Sequence, residues 1–308
     1  KILARNIYLK DNVGGVLLFD TYDSLFSDIT IEDKVKAGSV AWAMSRAYQV
    51  SLQNFRITTS GGYGIQVIFF KDLNLSNIVA QGGEVNVINL TGGSRWLNAN
   101  ANLTNVVAFN GGDGSDGIDI EDVNRINLAN IITYGNGSDG IEIGDTRGEL
   151  STTEISLTNV QSYGNGRTGL LLINVRRGSV FGGSFINNAT SYNGTSFNDS
   201  AGIMLIEGTK NIVVMGATIG DTQATEPVGI VEANAGQTVL QVSSAKPPGG
   251  ATVVFADQKV TISDGKNSET NWVVRSYTIG PYHFVDLKNK LANTYAGDAT
   301  VKGTPTQH

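Results

Sequence analysis

The sequence predicts an all-β chain: a right-handed parallel β-helix of about nine coils over residues 1–234, then a small antiparallel β-barrel or sandwich module over residues 235–308. Three observations predict it. Six segments, ILARNI, VSLQNF, LNLSNI, ANLTNV, INLANI and ISLTNV, share one pattern of alternating apolar residues ending in Asn and an apolar residue. Glycine-led strands such as GIQVI, GIDIE and GIEIG follow these segments. After Asn234 the repeat stops and a different series of alternating strands begins.

The Asn marker falls at Asn6, Asn54, Asn77, Asn105, Asn130 and Asn159. Asp28 fills its place in LFSDITI, and Gly183 and Gly216 continue the series, so the marker recurs every 22–33 residues. A tight turn at this point needs a residue that tolerates the left-handed conformation, which Asn and Gly do. Stacked Asn amides can also hydrogen-bond along the column, so the Asn residues are expected to hold the fold.

The glycine-led strands begin at Gly15, Gly64, Gly117, Gly140, Gly169, Gly202 and Gly229. Their alternation is that of short strands. A unit of two or three such strands cannot bury its own apolar face, so the units must stack. No segment sustains the 3.6-residue period of a helix. In the C-terminal part, TVLQVSS, ATVVFAD, KVTISDG, NWVVRSYTI and YHFVDLK read as strands, with turns at PPGG, DGKNS and GPY.

Composition agrees and excludes. Charged residues are 16%, against about 25% in ordinary domains, while Gly numbers 38 and Asn 29, a composition of short turns. There is no Cys, which removes disulfides, thiolate metal sites and thiol catalysis. The two histidines, His283 and His308, cannot build a three-His metal site. The net charge of −6 and the lack of a basic run argue against nucleic acid. No apolar stretch is long enough to span a membrane. KILARNIYLK lacks the apolar core of a signal peptide and begins within a repeat, with no capping segment. The expectation is a fragment or cleavage product, or a covered end. A homotrimer or another covering partner chain is the simplest form of the cover.

Chemistry is expected on the outer face. In GIDIE, Ile118 and Ile120 point inward, so Asp119 and Glu121 point out; in GIEIG, Glu142 points out. The outward column reads Leu17, Ala41, Gln66, Asn86, Asp119, Glu142, Leu171, Met204 and Val231. Asp116 and Asp139 stack just before these strands, with Asp113 and Asp145 nearby. Neighbouring coils lie about 4.8 Å apart, so these carboxyls face one another and cannot all ionise cheaply. A neutral acid beside a carboxylate is what glycoside hydrolysis requires. The expected catalytic residues are Asp119 and Glu142, aided by Asp116 and Asp139. Substrate contacts are expected from Arg95, Trp96, Asn86, Gln66 and Arg147, because aromatic and guanidinium groups suit sugar rings and acidic glycans. Tyr134 and Tyr163 either line this groove or stack structurally. No cofactor is required; Ca²⁺ suits such an oxygen cluster as an alternative use. Lone outward acids would merely be a solvated face.

The repeats resemble the pectin-lyase-like superfamily of right-handed parallel β-helices, which includes pectate lyases, polygalacturonases, alginate epimerases and phage tailspike depolymerases. GSDGIDI followed by GSDGIEI is similar to the two acidic coils of polygalacturonase-type hydrolases. That resemblance implies that Asp116 and Asp139 take two of the family's three aspartate positions. Ser138 stands where its general-acid aspartate would be, NGRTGLLLI lacks its histidine, and its Arg-x-Lys motif is absent. The C-terminal segment resembles a small β-barrel module of bacterial and phage surface proteins. The expected function is an extracellular (secreted, cell-surface or virion) glycoside hydrolase acting on polysaccharide. The alternatives are a tailspike or adhesin that binds glycan without catalysis here, and a Ca²⁺-dependent lyase or epimerase.

Overall fold

The computed structural model describes residues 1–11, 14–33, 39–93, 99–144, 152, 154–188, 202–221, 228–232, 234–242, 259–264, 266–279, 282–295, 300–303 and 306–307. Among them there is no helix, and so none long and apolar enough to cross a membrane. The chain separates into two compact units, one holding Lys1–Ser191 and Asp199–Ile219 and the other Tyr192–Asn198 and Gly220–His308.

The first unit is a parallel β-helix. Its opening coils are long strands: β1 (Leu3–Lys10), β2 (Val16–Asp33), β3 (Val40–Thr59) and β4 (Tyr63–Gln81). Later coils break into shorter ones: β5 (Asn86–Thr91) and β6 (Asn100–Phe109), β7 (Asp116–Glu121) and β8 (Arg125–Tyr134), β9 (Ile141–Gly144) and β10 (Glu154–Tyr163). Then come β11 (Leu170–Ile173), β12 (Gly178–Phe181) and β13 (Ser184–Ile186), and β14 (Ile203–Ile206), β15 (Ile212–Met215) and β16 (Thr218–Asp221). Each strand pairs in parallel with its counterpart one coil away, so like residues stack. One inward column runs Ile65, Ile88, Ile118, Ile141, Leu170 and Ile203. Another runs Leu52, Leu75, Leu103, Leu128, Leu157 and Val180. Burying one such side chain is worth about 1.5–3 kcal/mol, and these columns are the core of the unit.

The Asn ladder exists. Asn159 donates to Asn130, Asn130 to Asn105, Asn105 to Asn77, Asn77 to Asn54 and Asn54 to Asp28, at 2.8–3.0 Å. All of them sit at φ between 53° and 58°. Two features define it further. The ladder is exposed, so its amides face solvent rather than the core. It also continues through Gly182, not Gly183. The pairings Thr158↔Phe181 and Gln161↔Ser184 put Gly182 opposite Asn159, and Phe181↔Met215 aligns it with Gly216.

A second ladder, of Asn136, Asn165 and Asn188, fills the turns before β9 and β11. Asn136 Nδ2 donates to Asn165 Oδ1 at 2.9 Å, and Asn165 Nδ2 to Asn188 Oδ1 at 2.9 Å. It explains the glycines that lead the strands. A Cβ on Gly117 would sit 2.6 Å from Asn136 Nδ2, and one on Gly140 would collide with Ser162 Oγ. Only glycine lets the polar turn pack this closely on the strand.

The second unit is a closed antiparallel barrel. Its strands, β17 (Val228–Glu232), β18 (Val239–Val242), β19 (Lys259–Ser263), β20 (Ser268–Ile279), β21 (Tyr282–Leu287) and β22 (Thr300–Gly303), close in the order β17-β18-β21-β20-β19-β22. Val228–Glu232, which the sequence pattern places in the coil column, instead pairs antiparallel with β18 and β22. The expected strand ATVVFAD lies outside the described residues. His283 is a mid-strand position, opposite Val242 and Thr278.

Candidate active site

The acidic residues of β7 and β9 come together. Parallel pairing sets Asp119 beside Glu142, with Ile118 and Ile120 beside Ile141 and Ile143 in the core. Carboxylate oxygens of Asp116, Asp139 and Glu142 all lie within 4.8 Å of one another.

Their exposure is unequal. Glu142 is half-buried, whereas Asp116 and Asp119 are 8% and 7% exposed and Asp139 is fully enclosed. Strand alternation put Asp119 on the outer face, but the polar groups beside it cover it. Asn86 Nδ2 and Asn89 Nδ2 both donate to its Oδ2 at 2.8 Å. Its Oδ1 is buried and has no hydrogen-bond partner among the described residues.

Asp116 and Asp139 belong to a third ladder, from side chain to backbone. Asn86 Oδ1 accepts the Asp116 N–H at 3.0 Å, Asp116 Oδ1 the Asp139 N–H at 2.9 Å, and Asp139 Oδ1 the Thr168 N–H at 2.7 Å. Arg167 Nη1 stands 3.7 Å from Asp139 Oδ2 and donates to Ser138 Oγ at 3.4 Å.

Electrostatics follow from this packing. Burial, then the Asp139 charge, pushes the Asp116 carboxyl up to about 6. Burial, then Asp116, Asp139 and Glu121, pushes Glu142 up to about 7. Burial also holds Asp119 well above the usual carboxylate range, with Glu121, Asp116 and Glu142 adding to it. Asp139 is raised by burial against the pull of the Thr168 N–H and Arg167. Tyr63 is raised by burial and then by the charges of Asp119 and Glu121. Desolvation is thus the common cause, and like charge compounds it.

The expected substrate contacts divide three ways. Asn86 is at the site, as a donor to Asp119 rather than a free sugar ligand. Gln66 joins at its edge, Nε2 donating to Asn89 Oδ1 at 3.5 Å. Arg95, Trp96, Arg147 and Asp145 lie outside the described residues. Asp113 is exposed. Phe109, Tyr134 and Tyr163 stack face to face at 4.8 and 5.2 Å. Their faces meet one another, so the two tyrosines form a structural stack, with Tyr163 exposed.

Three site residues escaped the sequence reading. The outward column runs Leu17, Ala43, Gln66, Asn89, Asp119, Glu142, Leu171 and Met204, with Asn89 where Asn86 was expected and Ala43 where Ala41 was. Asn86 instead pairs with Asp116. Val87 and Ile88 are adjacent apolar residues and permit both registers; aligning Ile88 and Leu90 on Ile118 and Ile120 finds Asn89. Tyr63 opens the strand before β5 and Arg167 lies one coil beyond Asp139, so the stacking of turns finds both. Leu171 is only 5% exposed, so the column does not open into an apolar patch there.

No family model matches the chain, and no curated protein matches it. Among solved structures it is similar to the A-module of mannuronan C-5 epimerase AlgE6 of Azotobacter vinelandii, at 15% identity and a TM-score of 0.44, over 70% of this chain and 80% of that one. It is also similar to the tailspike protein gp49 of Acinetobacter baumannii bacteriophage Fri1, a capsular polysaccharide depolymerase, at 10% identity and a TM-score of 0.33, over 97% and 68%. A third is the tailspike gp61 of Pseudomonas phage phi297, at 12% identity and a TM-score of 0.28, over 95% and 64%.

Proposed function

We propose that the chain is a polysaccharide-processing enzyme, and that it hydrolyses glycosidic bonds with Glu142 as the proton donor and Asp116 as the carboxylate partner. The observation that carries this reading is the close approach of their oxygens, within 4.8 Å, with Glu142 half-buried and held neutral to about pH 7. Oxygens that lie within 4.8 Å fall short of the roughly 6.5–9.5 Å that an inverting enzyme keeps for its water, which supports a retaining scheme. In this scheme Glu142 protonates the glycosidic oxygen as Asp116 attacks the anomeric carbon. The C–O bond breaks, the leaving sugar departs with the proton, and a glycosyl ester forms on Asp116. Glu142, now a carboxylate, takes a proton from water, which attacks the same carbon and frees Asp116. Asp119, whose Oδ2 is held by Asn86 and Asn89 and whose Oδ1 is buried, and Asp139, which is fully enclosed, act as positioning residues. Asp119 packs beside Glu142 in the neighbouring coil, and Asp139 fixes the turn through Thr168 and Arg167.

The test is turnover of a panel of bacterial and plant polysaccharides, read as new reducing ends and as ultraviolet absorbance of unsaturated sugars. Glu142→Gln and Asp116→Asn should each lower turnover by roughly 10²–10⁴, with reducing ends and no unsaturated product in the wild type. Near-wild-type turnover by both folded variants would overturn the assignment. A binding-only role is the second reading. The engagement of Asp116 and Asp139 with backbone N–H groups favours it, since such a ladder holds turns together without chemistry. Glycan retention with no turnover across the panel would establish it.

A further inference from the structure

A groove of about 770 Å³ lies along the outer face of β8, β10 and β12, outside the acidic cluster. Its origin is a change of side-chain size along one column: Asn74, Asn102, Asn127, Ser156, Ser179 and Val213 stack in register. Asn102 donates to Asn74 Oδ1 at 3.0 Å and Asn127 to Asn102 Oδ1 at 2.8 Å. These bonds spend the Asn127 amide nitrogen on the coil behind it and turn its Oδ1 toward the serines. The two serines are too short to continue the ladder, and the hollow opens where the amides stop. Arg125 and Glu154 form one wall and are paired with each other at 3.6 Å. Arg177, beside them, is exposed and makes no ion pair among the described residues.

We propose that this groove is a second glycan site that takes a uronic acid unit, its carboxylate on Arg177 and its hydroxyls on Asn127 Oδ1, Ser156 and Ser179. A guanidinium presents paired donors to a carboxylate. The floor offers hydroxyl and amide groups that can bond a sugar's hydroxyls, and the volume suits a short stretch of polymer. A protein of net charge −6 holds an acidic glycan only where a cation is locally unopposed, and Arg177 supplies that place. The proposal shares with the preceding section the polysaccharide class of ligand, but at a different site. The acidic cluster repels a carboxylate and the groove attracts one. A polymer engaging both therefore presents a neutral unit to Glu142 and a uronate to Arg177.

The experiment measures binding of oligosaccharides of hyaluronan, alginate and dextran to the full chain by calorimetry. Uronate-bearing oligosaccharides should bind more tightly than dextran, and less tightly as salt rises. Arg177→Gln should weaken that binding about tenfold, Ser179→Trp should abolish it by filling the groove, and Glu154→Gln should tighten it. A uronate preference absent from the wild type, or the same affinity in Arg177→Gln and Ser179→Trp as in wild type, would overturn the proposal. Binding that responds to these variants in a protein with no turnover leaves the groove standing and removes only the hydrolase.

Discussion

The side chain of Glu142 carries two consequences of one cause. Burial and the carboxylates around it favour its neutral form, so its ionisation opposes folding. Its carboxyl titrates at about 7 in the folded chain against an ordinary 4.5. The folded state therefore binds more protons than the unfolded one between those values, and stability falls as pH rises through that window. Above it the loss is constant. Glu142→Gln should relieve it, raising stability at pH 8 by about 3 kcal/mol and leaving it little changed at pH 4. Urea denaturation at the two pH values checks this, and equal effects at both would show that the charge is not the cause. At this scale the sequence was partly legible. The alternation around Ile118 and Ile141 revealed which carboxyls share a column. It did not reveal that Asn86, Asn89 and the polar turns cover Asp119, because burial depends on neighbours one coil away.

At the scale of single elements, the coil turns test the two Asn ladders separately. Asn130 combines a left-handed backbone with exposed amide bonds to Asn105 and from Asn159. Asn130→Ala should cost about 1–2 kcal/mol through the backbone, and Asn130→Gly distinctly less, because glycine accepts that φ freely. Thermal melts of the pair decide it, and equal losses would mean that the amide bonds, not the backbone, set the cost. Asn165 is fully buried and bonded on both sides, so Asn165→Ala should cost about 1–3 kcal/mol by stranding the Asn136 amide and the Asn188 carbonyl. The exposed ladder was readable because its Asn recurs within one fixed pattern. The buried one was hidden in the two YGNG turns and in FINNAT, which look like ordinary loop sequence. Its signature was the glycine that follows, kept small by the ladder itself.

Over the whole molecule, repetition made the parallel β-helix legible and the end of repetition marked the barrel. The strand Val228–Glu232 was misplaced because GIVEA has the alternation of a coil strand, and partner choice, parallel or antiparallel, is not written in alternation. The central claim is that two neighbouring coils bring Asp116 and Glu142 together as a carboxylate and an acid. The pH dependence of kcat/KM on the polysaccharide the panel identifies tests it most directly. With Asp116 titrating at about 6 and Glu142 at about 7, activity should rise as Asp116 ionises and fall as Glu142 loses its proton. The expected profile is a narrow bell with limbs near those values, and Glu142→Gln should abolish its alkaline limb together with most of the rate. A profile flat from pH 5 to pH 8, or a bell that Glu142→Gln leaves in place, would contradict the account.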